Sequence, residues 1–79
     1  MIKNLTASRI KELLPKIVSE IDLLSSFARD IGYALAKTDD NTLREIRNVL
    51  VDIVVPNEFS KGLIIGMVEM IDGHRNNER

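Results

Sequence analysis

Glu69, Asp72 and His74 come closest in this sequence to a metal-binding set. A spacing of three residues places the two carboxylates on one face of a helix, and His74 follows where that helix is expected to end. Three such ligands could in principle hold a divalent cation. However, carboxylates near a helix end are ordinary surface residues, and a histidine there complements the helix dipole. We therefore expect no metal site.

A second candidate for metal chemistry is the acidic run Asp39, Asp40 and Asn41. It fails as a calcium loop because Leu43 and Arg44 stand where such a loop needs an oxygen ligand and a glycine. One histidine cannot build a catalytic triad, and the four glycines do not form a phosphate-binding loop. We therefore expect no catalytic residue and no cofactor, so the chain is not expected to be an enzyme.

Composition describes a small globular domain without strong charge. The 79 residues are 44% hydrophobic and 29% charged, carry a net charge of -1 and include no cysteine. This length predicts a single domain over residues 1–79. No apolar run approaches the ~20 residues of a membrane span, and no signal peptide is evident. We expect a cytoplasmic protein, with a composition typical of short bacterial or phage proteins.

The first half of the chain carries the clearest helical pattern. Apolar residues recur at alternating spacings of three and four, which is the a/d pattern of packed helices. They are Ala7, Ile10, Leu14, Ile17, Ile21, Leu24, Ala28, Ile31 and Leu35. This predicts helix over about residues 7–37, either kinked or broken at Pro15, which cannot donate a backbone hydrogen bond to Lys11.

The second predicted helix covers residues 43–54, between loops at 38–42 and 55–57. Thr42 and Glu45 have the spacing of a capping box at its start. Residues 49–55 are rich in β-branched side chains, so a strand is the alternative. Pro56 disfavours helix at Val55 and predicts the end of the segment.

The third predicted helix covers residues 58–72, and Gly73 is expected to stop it before a polar tail at 73–79. Its apolar residues surround most of the helix: Phe59, Leu63, Met67, Met70 and Ile71 on one face, with Ile64, Ile65 and Val68 around much of the rest. Such a helix needs cover on more than one side. Gly62 and Gly66, one turn apart, would let another helix come close.

Helix length argues for more than one copy of the chain. An unbroken helix over residues 7–37 would be about 46 Å long, whereas a 79-residue domain is roughly 30 Å across. The sequence therefore predicts an all-α bundle of three to four helices, packed as a side-by-side or intertwined homodimer. The alternative is a compact four-helix monomer in which the chain folds back at Pro15.

These patterns favour a non-enzymatic protein–protein interaction module: a small oligomeric regulator, adaptor or inhibitor that binds an unidentified protein partner, with no membrane contact. The expected oligomer or partner interface consists of Ile17, Leu24, Ile31, Leu35, Leu63, Met67 and Met70. The alternative is a dimeric DNA-binding regulator with a helix-turn-helix-like C-terminal half. Its phosphate contacts would be Lys3, Arg9, Lys11 and Lys16.

Overall fold

The computed structural model describes residues 6–77, which form four α-helices and no β-strand. The helices are α1 (Ala7–Ile17), α2 (Ile21–Ala34), α3 (Asp40–Asp52) and α4 (Glu58–Asn77). The all-α prediction is confirmed, and the strand alternative for residues 49–55 is wrong because α3 continues to Asp52. No helix in the described range is long and apolar enough to cross a membrane.

The four helices pack as a ring around one core. α1 and α4 each contact both α2 and α3. The described chain measures 34 × 23 × 19 Å, with a radius of gyration of 11.5 Å. Its buried apolar side chains are Ile10, Leu14, Ile17, Val18, Leu24, Phe27, Ile31, Leu43, Ile46, Leu50, Ile64, Met67 and Ile71.

The long N-terminal pattern forms two helices, and the break lies after Pro15 rather than at it. α1 runs through Pro15 and ends at Ile17. Pro15 and Lys11 are both exposed, so water can satisfy the Lys11 carbonyl that proline leaves without a donor. The following turn is held by Ser19, whose N–H and hydroxyl donate to the Lys16 carbonyl at 3.2 and 2.6 Å. This turn brings α2 back onto α1, so both halves of the apolar stripe reach the same core.

Helix α3 begins earlier than its predicted capping box. Its N-cap is Asp39, whose carboxylate accepts from the Thr42 N–H at 3.1 Å and from the Thr42 hydroxyl at 2.7 Å. Thr42 therefore lies inside the helix, where its two donors serve the cap. The capping box predicted from Thr42 and Glu45 is wrong because the aspartate three residues upstream supplies an acceptor of the same kind.

This cap makes one pH-dependent contribution to stability. The hydrogen bonds from the Thr42 hydroxyl and N–H lower the pKa of Asp39. Because the pKa of Asp39 is lower in the folded state, its carboxylate stabilises the fold at any pH above its unfolded-state pKa. This stabilisation is lost as the pH falls through the folded-state pKa. Asp39→Asn should keep the cap but remove this dependence, because asparagine caps well and does not titrate.

We expect the melting temperature of wild type to fall more steeply on acidification than that of Asp39→Asn. The measurement is thermal unfolding followed by circular dichroism from neutral to strongly acidic pH. Asp22→Asn, in the first turn of α2, is the control with the same charge change. Equal acid dependence of wild type and Asp39→Asn would contradict the assignment.

Helix α4 differs from its prediction at both its buried face and its end. The buried side chains are Ser60, Ile64, Met67 and Ile71, whereas Phe59 and Met70 are exposed. Apolar residues surround this helix, so their spacing did not define which face is buried. The Asn57 side chain accepts from the Ser60 N–H at 2.8 Å at the start of the helix.

The helix stop predicted at Gly73 is wrong, because α4 continues to Asn77. Arg75 in the last turns donates to the Asp40 carboxylate at 2.6 and 3.3 Å, joining the end of α4 to the start of α3. This hydrogen bond raises the pKa of Arg75. A cation near a helix C-terminus and an anion near a helix N-terminus both complement the helix dipoles.

Candidate partner-binding surface

The connection between α3 and α4 exposes aliphatic side chains that the core does not use. α3 ends at Asp52, and Ile53 then takes an extended conformation with φ −71° and ψ 140°. Pro56 favours extended backbone at Val55, so the chain cannot turn directly into α4. Val54, in the middle of this segment, is 87% exposed, and Val51 at the end of α3 is 55% exposed.

A groove of about 280 Å³ lies between α3 and α4 beside this segment. Its lining residues are Leu50, Val51, Ile53, Val55, Lys61, Ile64, Ile65, Val68 and Glu69. Lys61 and Glu69 are the charged residues of this lining, and the others are aliphatic. The groove can therefore accept an apolar side chain and offers one charge of each sign near it.

A second cavity, of about 470 Å³, lies on the other side of the extended segment. It is lined by Pro15, Val18, Ser19, Asp52, Ile53, Val54 and Pro56. Val55 lines the first cavity and Val54 lines the second, which is the alternation expected of extended backbone. Ile53 lines both cavities. We call the exposed side chains of Val51 and Val54, with these two cavities, the valine surface.

The interface residues predicted from the sequence lie mostly in the interior of the chain. Ile17, Leu24, Ile31 and Met67 are buried in the core, and Leu35 and Leu63 are half-buried against it. Met70 is exposed. The cause is the turn at residues 18–20, which lets α2 pack against α1 and α4 of the same chain. The buried side chains therefore offer little surface to a second molecule.

The two glycines predicted to lie in a close helix contact face open space. Gly62 and Gly66 are exposed, and within the described residues nothing approaches within 4 Å of a Cβ placed on either. The predicted close contact is therefore absent inside the described chain. Gly32, which the pattern did not single out, is the glycine approached by another helix: the Met70 sulfur would lie 3.7 Å from its Cβ.

The basic residues of the DNA-binding alternative do not form one continuous face. Lys3 lies outside the described residues. Arg9, Lys11 and Lys16 are exposed on α1. Arg9 and Lys16 are about two turns apart on one face, whereas Lys11 projects from a different side of the helix.

Of the candidate metal ligands near the end of α4, Asp72 is paired with an arginine of α3. Asp72 accepts from Arg47 at 2.8 Å. Among residues 6–77, no three histidine, aspartate or glutamate side chains come together as a metal ion would require. A polar cavity of about 430 Å³ at this end includes Asp40, His74 and Arg75 in its lining.

Comparison of the chain with protein-family models, curated proteins and solved structures gives no significant match. The function is therefore inferred from the surface of the molecule itself.

The sequence pattern did not identify Val51 and Val54 as surface residues. The available signal was the β-branched run before Pro56, which marked the segment as a poor helix former.

Proposed function

We propose that the protein is a non-enzymatic protein–protein interaction module, a small oligomeric regulator, adaptor or inhibitor whose valine surface binds another protein. The observation that carries this proposal is the 87% exposure of Val54 on a segment flanked by two cavities with mainly apolar linings. Burying one such side chain fully against a partner contributes about 1.5–3 kcal/mol. A contiguous apolar surface of this kind is a common feature of binding sites.

The shape of the valine surface favours a partner that presents apolar side chains on a narrow element. The two cavities lie on either side of the extended segment, so two neighbouring anchors could enter them together. A helix or an extended peptide supplies anchors in this way.

The DNA-binding alternative gains no support from the placement of charges. The outward side of α4, which would have to enter a groove of DNA, includes Glu58, Lys61 and Glu69. Recognition helices present arginine, lysine, asparagine or glutamine to the base edges. Salt-sensitive binding to random duplex DNA would revive this alternative.

A capture experiment with paired variants tests the proposed function. Val51→Ser together with Val54→Ser should lower partner capture from an extract of the source cells by roughly tenfold to a hundredfold, because two apolar anchors are lost. Captured proteins are quantified by mass spectrometry, and circular dichroism checks that the variant remains helical.

Tyr33→Ser is the matched control, because Tyr33 is a large exposed side chain on a different helix, α2. It should capture the same proteins as wild type. If the valine double variant retained every protein that wild type captures, the valine surface would not be the binding site.

A further inference from the structure

The outward side of α4 carries exposed apolar side chains beside its charged residues, and the described chain covers these apolar side chains only in part, as where the Met70 sulfur lies near Gly32 of α2. Phe59, Ile65 and Met70 are 57%, 48% and 39% exposed. Gly62 and Gly66 lie between them on the same side and leave the backbone open to approach. Val51 and Val54 belong to α3 and the connection after it, whereas Lys61, Ile65 and Glu69 of this face also line the groove beside Val51.

We infer that this face of α4 binds the same face of α4 in a second copy of the chain, with the two helices antiparallel about a two-fold axis near residues 64–65. The inference deepens the oligomeric part of the proposed function by naming the contact. In a two-fold contact the same surface of both copies meets, so this surface must be complementary to itself.

Charge complementarity selects the antiparallel orientation. In a parallel pair, Lys61 would lie beside Lys61 of the second copy, and Glu69 beside Glu69. In the antiparallel pair, Lys61 lies opposite Glu69 of the second copy, and the symmetry makes this contact twice. Both side chains are exposed on α4, so they can form this contact without any change in the packing of the core.

The same antiparallel register also matches the apolar groups. It places Gly62 opposite Gly66 of the second copy, where the missing side chains let the backbones come close. Phe59 then lies opposite Met70, an aromatic–thioether pair that is favourable in proteins. Glu58 comes opposite Asp72, but Asp72 is already hydrogen-bonded to Arg47 at 2.8 Å, which offsets the repulsion.

Charge reversal tests this arrangement without disturbing the core. Lys61→Glu and Glu69→Lys should each weaken dimerisation about tenfold, because each replaces two attractive contacts by two repulsive ones. The double variant, Lys61→Glu with Glu69→Lys, restores opposite charges and should return to within about threefold of wild type. The dimer dissociation constant is measured by sedimentation equilibrium at low salt, where surface charge contacts are least screened.

Lys11→Glu on α1 is the control of equal charge change and should leave dimerisation unaltered. A monomeric wild type at high concentration would overturn the inference, as would single reversals without effect or a double variant that is not restored. Val51→Ser with Val54→Ser should dimerise normally. Failure of partner capture with intact dimerisation would therefore count against the proposed function alone.

Discussion

Replacing Ile31 by alanine should lower the free energy of unfolding by about 2–5 kcal/mol. Ile31 is fully buried in the core, and the cavity left by alanine would be lined by neighbours that cannot fill it. A domain of this size gains only ~3–5 kcal/mol from its core. We therefore expect a large fraction of the Ile31→Ala protein to be unfolded at room temperature.

Urea unfolding followed by circular dichroism measures this loss. The comparison is made in a Lys61→Glu background, so that self-association contributes little to the measured stability. Leu23→Ala, at a partly exposed position on the same helix, is the control and should cost about 1 kcal/mol or less. If Ile31→Ala were as mild as Leu23→Ala, Ile31 would not belong to the core of a single chain.

Replacing Gly62 and Gly66 together by alanine should have opposite effects on folding and on self-association. Glycine inside a helix costs about 1 kcal/mol relative to alanine, so the double variant should gain roughly 2 kcal/mol of stability. The space around both positions is open within the chain, so the added methyl groups meet nothing. In the antiparallel dimer those methyl groups would push the two backbones apart and weaken the pairing.

Thermal or urea unfolding gives the first effect, and sedimentation equilibrium gives the second. Gly73→Ala is the matched control: nothing lies within 4 Å of its Cβ position either, but it lies outside the Gly62–Gly66 contact. It should raise stability and leave dimerisation unaltered. A Gly62→Ala, Gly66→Ala protein that dimerised as tightly as wild type would remove the role proposed for the glycines.

The helical class and the approximate positions of the helices along the chain were predictable because the apolar spacing is regular. In α1 and α2, residues such as Ile10, Leu14 and Ile31 define a single face, and all three are buried. The regular spacing did not show whether this face packs within one chain or between two chains. Spacing shows that a side chain will be covered, but it does not show whether the cover comes from the same chain or from another.

The helix ends were harder to predict, because neighbouring residues offer competing signals. Asp39 and Thr42 can both cap a helix, and the earlier residue does so here. Gly73 is a common helix end, yet the Arg75–Asp40 pair joins the residues beyond it to α3. The orientation of α4 was not predictable from periodicity, because apolar residues surround it.

The valine surface was the least predictable part of the candidate site. A run of β-branched residues before Pro56 indicates either a buried strand or the end of a helix. Only the packing of α3 against α4 decides that Val54 remains outside. The exposure of a residue in a connection depends on how its flanking helices pack, and a local sequence pattern does not contain that information.

The position of α4 in the ring has a consequence for how the chain is made. α4 covers both α2 and α3, and it is the last of the four helices to leave the ribosome. Until it emerges, the apolar stripes of α2 and α3 lack one of their two neighbours. The nascent chain therefore exposes apolar side chains until α4 has left the ribosome, and this is the stage at which a chaperone or a premature encounter with another chain has the greatest influence.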